Sequence, residues 1–205
     1  MKKIGINGFG RIGRYLTRLS LDSSEVEVAV VNDISDIKTL AHLLKYDSVH
    51  RQLKHEFILE KDRISFANGK EIKFVQYKDP SEIPWKVLGV ETVIESTGLF
   101  LTTETASKHL AGGAKRVLIS APANSDEIPT VVLGVNDNIL NGEGSIISNA
   151  SCTTNNAAPM VRVLHDLCEI ESAYITTIHS YTSDQRLHDA PHKDLRRARA
   201  AAESI

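Results

Sequence analysis

Two cysteines, one tryptophan and 5% aromatic residues are all that this 205-residue chain holds of the side chains that staple or anchor small secreted domains. Cys152 and Cys168 cannot form a disulfide framework. They could form one bridge, but two thiols in a reducing compartment are the better expectation. Charge of one sign is also missing. The 24 Lys+Arg and 26 Asp+Glu leave a formal net charge of −2, which excludes a broadly basic nucleic-acid-binding surface but not a local patch. No apolar run reaches the roughly 20 residues of a membrane-spanning helix. The start, Met1-Lys2-Lys3-Ile4-Gly5-Ile6-Asn7, lacks the long apolar core of a signal peptide. A soluble cytoplasmic protein is expected, with neither a membrane nor a nucleic acid as partner. What is present is ordinary globular composition, 41% hydrophobic and 24% charged. The length fits one domain plus part of another.

Residues 2–7 read as a buried strand that runs into Gly8, Gly10 and Gly13. Tyr15, Leu16, Leu19 and Ser20 then follow at helical spacing. Residues 25–31 read as a second strand, rich in valine, and Asn32-Asp33 ends it. Residues 36–44 read as a helix with Ile37, Leu40, Leu43 and Leu44 on one face. Strand, glycine turn, helix, strand and helix is the order a parallel sheet requires, because parallel neighbours need a crossover. Asn68-Gly69, between apolar stretches, predicts a two-residue hairpin and a small antiparallel insertion. Further strands are expected at residues 92–95, 116–120, 130–135 and 145–148, with a helix over 103–110. A second segment starts near Ala150. Residues 152–167 have a helical pattern, but Pro159 moves the expected start of the regular helix to Asn156. Residues 173–181 read as a strand. From Thr182 to Ala202 the chain is polar and irregular, and the loop from Thr182 to Ile205, with no local partner, is expected to be mobile unless a neighbouring subunit holds it.

Gly8-Phe9-Gly10-Arg11-Ile12-Gly13 sits between a strand and a helix. In that setting Gly8 allows the tight turn, Gly10 lets a pyrophosphate approach the backbone, and Gly13 lets helix and strand pack closely. The helix N-terminus offers N–H groups and partial positive charge to phosphates. Asp33 lies 20 residues beyond Gly13. A carboxylate there accepts from both ribose hydroxyls of an adenosine and repels a 2′-phosphate, so NAD is favoured over NADP. A plain structural turn with a strand-end aspartate is the alternative. Thr97-Gly98 and Ser120 follow strands and are candidate cofactor contacts, or simple strand-to-helix connections.

Ser151-Cys152-Thr153-Thr154-Asn155 places a thiol among small polar residues, after a strand and before a helix, where a thiolate is stabilised. Taken alone, Cys152 is as well read as a structural thiol. Cys168, late in the helix, reads as packing. His179, on the next predicted strand, is a candidate base for Cys152, although a lone histidine is more often structural. His188 and His192 are four apart, but Pro191 disrupts a common helix face and no ligand cluster accompanies them, so no metal is expected. Lys193, Arg196, Arg197 and Arg199 could bind phosphate, or form a solvated or subunit-facing loop.

Taken together, Ile6-Asn7-Gly8-Phe9-Gly10-Arg11-Ile12-Gly13-Arg14, Asn32-Asp33, Tyr46-Asp47-Ser48-Val49-His50, Ser151-Cys152-Thr153-Thr154-Asn155 and His179-Ser180-Tyr181-Thr182 resemble phosphorylating glyceraldehyde-3-phosphate dehydrogenase along the whole chain. The resemblance implies a Rossmann-type doubly wound α/β domain over residues 1–150 and the start of an α+β catalytic domain over 151–205. It implies NAD-dependent oxidation of glyceraldehyde 3-phosphate with inorganic phosphate, a glycolytic step, in a homotetramer. By the same resemblance Cys152 is the nucleophile and His179 its base. Asn7, Gly8, Gly10, Arg11, Ile12, Gly13, Asp33, Lys78, Thr97, Gly98 and Ser120 fall at cofactor positions. Ser151, Thr153 and Thr182 fall at substrate or phosphate positions. Pro191 fits NAD-preferring members. Asn156 departs from a frequent second cysteine, and Lys78 from a frequent arginine. Erythrose-4-phosphate dehydrogenase shares the cysteine and histidine logic and is the rival enzyme. The chain reaches Ile205 with no evident domain end, so it is expected to be part of a longer protein and inactive by itself, or an NAD-binding fragment.

Overall fold

A computed structural model describes residues 1–140, 142 and 144–201. The chain divides into two compact units, Met1–Leu167 and Cys168–Ile205. The first is built on one sheet. Its elements are β1 (Lys2–Asn7), α1 (Arg11–Leu21), β2 (Val26–Asn32), α2 (Ile37–Lys45), the short pair β3 (Tyr46–Asp47) and β4 (Arg51–Gln52), then β5 (Phe57–Leu59), β6 (Arg63–Phe66) and β7 (Glu71–Val75). There follow β8 (Thr92–Glu95), α3 (Thr103–Ala106), α4 (Lys108–Ala111), β9 (Arg116–Ile119), β10 (Ile146–Ser148) and α5 (Cys152–Cys168).

The sheet order is β10-β9-β8-β1-β2-β7-β6-β5. All pairs from β10 to β7 are parallel, and β7-β6-β5 is antiparallel. This is a Rossmann-like mixed sheet. The chain builds outward from β1 through β2, then returns to add β8, β9 and β10 on the other side. The crevice between the ends of β1 and β8 is therefore the topological switch point, where ligands bind in open α/β sheets.

Helix α1 lies on the sheet through Gly13, Thr17, Ser20 and Leu21, whereas Tyr15 and Leu19 are exposed. Leu16 packs against the core and Ser20 is buried as the spacing suggested, but the closest approach to the sheet is at Gly13. A Cβ on Gly13 would run into the Gly8 carbonyl oxygen and lie 3.0 Å from Ile6 Cγ2. Gly13→Ala is expected to lower stability by about 1–3 kcal/mol, the usual cost of overpacking. Urea unfolding measures it, and an unchanged midpoint would show that the helix does not need this approach. Helix α2 starts at Asp36, whose carboxylate accepts from the Thr39 N–H over 3.1 Å. Leu40, Ala41 and Leu44 are buried, but Leu43 is exposed.

The hairpin loop is longer than expected. It is three residues, 67–69: Phe66 donates its N–H to the Lys70 carbonyl, and Gly69 adopts φ +83°. The expected antiparallel insertion is present as β5-β6-β7, and it is joined to the main sheet because β7 pairs with β2. Lys70 Nζ adds a tie by donating to the carbonyls of Ser20 and Leu21, the last residues of α1, and of Ser23 just beyond it.

Other expected elements also change. The helix over 103–110 is two short turns, α3 and α4. Residues 130–135 are not a strand: Thr130 makes one bridge to Ser148, then Gly134 and the Asn136 side chain fold the chain into turns. Helix α5 begins at Cys152, not Asn156, and carries Pro159 inside it. None of its residues is buried, and Cys168 at its end is exposed rather than packed. Residues 173–181 are not a strand, since the described residues hold no paired edge for them; Tyr174 and Ile178 are fully exposed.

In the second unit, the stretch after Thr182 has local partners after all. Arg197 pairs with Asp184, Arg199 with Asp189 and Arg196 with Asp194. Arg186 donates to the Pro191 carbonyl, and a 3-10 turn forms at Leu195–Ala198. Three of the four basic residues, Arg196, Arg197 and Arg199, thus make exposed ion pairs within their own loop. The part of this stretch beyond residue 201 lies outside the described residues.

Candidate functional site

A cleft of about 480 Å³ opens at the switch point. Asn7, Gly8, Gly10, Asp33, Lys78 and Thr97 line it, all singled out from the sequence. So do Asn32, quoted in the Asn32-Asp33 pair without a role, and Ile34, Tyr77, Ser96, Leu99 and Phe100, which were not singled out. Arg11, Ile12 and Gly13 sit in the first turns of α1; none of them, nor Gly98 or Ser120, belongs to the lining of this cleft.

Gly8 takes φ +96°, and a Cβ on it would lie 2.7 Å from the Thr97 nitrogen, so the turn requires glycine on both counts. Gly10 is different. A Cβ there would meet no protein atom within 4 Å, so this side of the turn opens onto the cleft. A phosphate could reach the backbone at that point. Asp33 supports the turn: Oδ2 accepts from the Phe9 N–H over 2.7 Å and Oδ1 from the Ser35 N–H over 2.8 Å. Each oxygen keeps a lone pair for a further donor such as a ribose hydroxyl. The donor set therefore fits a dinucleotide. Behind the Tyr77-Lys78 wall, the Ser81 backbone N–H, then the Lys108 ammonium, pull the Asp79 carboxyl down to about 2.

The second candidate region starts from strain. Ala150 is buried and has φ +59°, a left-handed conformation costly for a residue with a Cβ. It is held there from both sides. The Ala150 N–H donates to Ser148 Oγ, and Asn155 Nδ2 donates to the carbonyls of Asn149 and Ser151. Ser151 Oγ then accepts from the Thr154 N–H over 2.9 Å, as a helix cap does. The result places Cys152, exposed, as the first residue of α5, with Thr153 half-buried beside it. Asn155 was quoted in the motif without a role; its contacts show that it shapes this turn.

His179 and Thr182 belong to the second unit. His179 is exposed, with Nδ1 2.6 Å from the Ser180 carbonyl oxygen. Thr182 donates its N–H and its hydroxyl to Gln185 Oε1, at 2.8 and 3.0 Å.

Comparison with known proteins shows the family. Residues 2–103 match the model of the glyceraldehyde 3-phosphate dehydrogenase NAD binding domain, and residues 151–205 that of its C-terminal domain. The chain belongs to the glyceraldehyde-3-phosphate dehydrogenase family. It is 54% identical over 206 residues to glyceraldehyde-3-phosphate dehydrogenase 1 of Bacillus cereus, covering all of this chain and 61% of that protein. The Thermotoga maritima relative is 53% identical over 207 residues, covering all of this chain and 62% of its own length. The Geobacillus stearothermophilus relative is 53% identical over 204 residues, covering 99% of this chain and 60% of its length. The chain thus spans about three fifths of these relatives: the family's NAD-binding domain and part of its C-terminal domain. Among the described residues, no helix is long and apolar enough to cross a membrane.

Proposed function

We propose that this chain forms part of a phosphorylating glyceraldehyde-3-phosphate dehydrogenase, which oxidises glyceraldehyde 3-phosphate with NAD and inorganic phosphate to an acyl phosphate. The observation that carries the reading is the strained Ala150 turn, which sets Cys152 at the N-terminus of α5 in a chain with the family's NAD-binding domain. The N-terminal N–H groups of a helix favour a thiolate at that place. In the reaction proposed, Cys152 Sγ adds to the aldehyde carbon and gives a hemithioacetal. His179 takes the hydroxyl proton as the carbonyl re-forms. NAD, when bound by the cleft at Asn7, Gly8, Gly10, Asp33 and Thr97, supplies the hydride acceptor. The product on Cys152 is a thioester. Ser151, Thr153 and Thr182 hydroxyls orient phosphate, whose oxygen attacks the thioester carbon and expels the Cys152 thiolate. Arg11, Ile12, Gly13, Lys78, Gly98 and Ser120 complete the proposed cofactor contacts. The NAD domain is assigned to residues 1–150 and catalytic sequence to 151–205. Cytoplasmic location and homotetrameric assembly belong to the same proposal.

The assay is run on residues 1–205 and on the same residues joined to the remaining sequence of the Bacillus cereus relative. The joined chain is expected to form NADH only when both glyceraldehyde 3-phosphate and phosphate are present, and residues 1–205 alone to form none. A preference for erythrose 4-phosphate in the joined chain would move the assignment to the tetrose enzyme.

A further inference from the structure

Glu95 has no part in the proposed chemistry, yet four donors converge on its carboxylate. Oε2 accepts from Asn7 Nδ2 over 2.6 Å and lies 2.9 Å from His109 Nε2. Oε1 accepts from the Thr97 N–H over 2.8 Å and from the Thr97 hydroxyl over 2.5 Å. The side chains of Glu95 and His109 are both 0% exposed. The far side of His109 fixes its tautomer. Trp85 Nε1–H, which can only donate, lies 3.2 Å from His109 Nδ1. Nδ1 must therefore accept, so the Nε2 proton is assigned to the bond with Glu95. A carboxylate satisfies all four donors. A glutamine would turn an N–H toward two of them.

The bonds continue into the cleft wall. Asn7, oriented by Glu95, accepts at Oδ1 from Asn32 Nδ2 over 2.7 Å. Asn32 in turn brackets the Tyr77 backbone, accepting its N–H at 2.8 Å and donating to its carbonyl at 3.0 Å. Next to Glu95, Ser96 Oγ donates to the Gly8 carbonyl over 2.7 Å. Asn7, Asn32, Tyr77 and Thr97 all line the cleft, whereas His109 and Trp85 do not. One buried carboxylate thus sets the geometry of residues that come from opposite sides of the switch point.

We propose that Glu95, backed by His109, is a positioning residue for NAD binding: it holds the Asn7-Gly8 turn and the Thr97 peptide at the separation the dinucleotide requires. This rests on the assignment of the cleft to NAD. Removing the carboxylate or its far-side donor strands buried polar groups, and the walls of the cleft shift to satisfy them.

The test uses residues 1–205 and three variants, His109→Leu, His109→Gln and Glu95→Gln. Calorimetry gives the Kd for NAD, and thermal unfolding without NAD gives stability. His109→Leu is expected to weaken NAD by about tenfold or more, the weight of a hydrogen bond to a charged group. His109→Gln can still donate to Glu95 and accept from Trp85, so it is expected to bind within about threefold of the unmodified chain. Glu95→Gln should weaken NAD at least as much as His109→Leu. Unchanged affinity in His109→Leu would overturn the proposal. So would affinity that falls only in step with the thermal midpoint across all three variants. If His109→Leu does not fold, Glu95→Gln decides, and NAD affinity equal to the unmodified chain overturns the proposal. Failure of the unmodified chain to bind NAD would instead sink the cofactor assignment, and this inference with it.

Discussion

Cys152→Ser in the joined chain is expected to reduce phosphate-dependent NADH formation by at least about a thousandfold, because a hydroxyl is far less ionised and less nucleophilic at neutral pH. The same logic gives a result that residues 1–205 can show without turnover. Cys152 is the first residue of α5 and Cys168 the last, and both are exposed. Access therefore does not separate them, but their positions on the helix do. The N–H groups at the start attract an anion, and the carbonyls at the end repel one. Brief iodoacetamide treatment at pH 7 is expected to label Cys152 at least about tenfold faster than Cys168. Peptide mapping reads the ratio. Faster labelling at Cys168 would remove Cys152 from its assigned role.

How much of this could be read from sequence depended on distance along the chain. Gly8, Gly10 and Asp33 were legible because a strand, a turn and a helix N-terminus are local, and the spacing to the next strand end is set by one crossover. The start of α5 was partly legible. Pro159 was given too much weight, since losing one backbone hydrogen bond did not prevent the first two turns from forming. The Glu95 network was not legible. Glu95 and Asn7 are 88 residues apart, and only the parallel pairing of β1 with β8 brings them together. Residues 173–181 failed in the opposite sense. Their β-branched and aromatic residues satisfy a local rule, but a strand needs a partner, and none of the described residues provides one. The partners within the loop after Thr182 were not legible either: Asp184, Asp189 and Asp194 pair with exposed arginines of the same loop, and charge spacing alone does not show which residues a turn brings together.

Asp33→Ala is expected to weaken NAD by at least about tenfold, since even one hydrogen bond to a carboxylate carries about 1.5–3 kcal/mol. Two losses combine. The ribose hydroxyls lose their acceptor, and the Phe9 N–H, bonded to Oδ2 at 2.7 Å, loses the group that steadies the glycine turn. NADP is expected to change much less, because in the unmodified protein its 2′-phosphate meets the Asp33 charge. The gap between the two cofactors should therefore narrow. Calorimetric titration of both dinucleotides into both proteins measures it. If the unmodified protein bound NADP as tightly as NAD, Asp33 would not be the discriminating group.

The most direct measurement of the central claim is intact-mass and peptide analysis of the joined chain after mixing with NAD and glyceraldehyde 3-phosphate in the absence of phosphate. One acyl group is expected, on the peptide that carries Cys152, formed together with one NADH per labelled thiol and released when phosphate is added. NADH formed without an adduct, or an adduct on any residue other than Cys152, would contradict it.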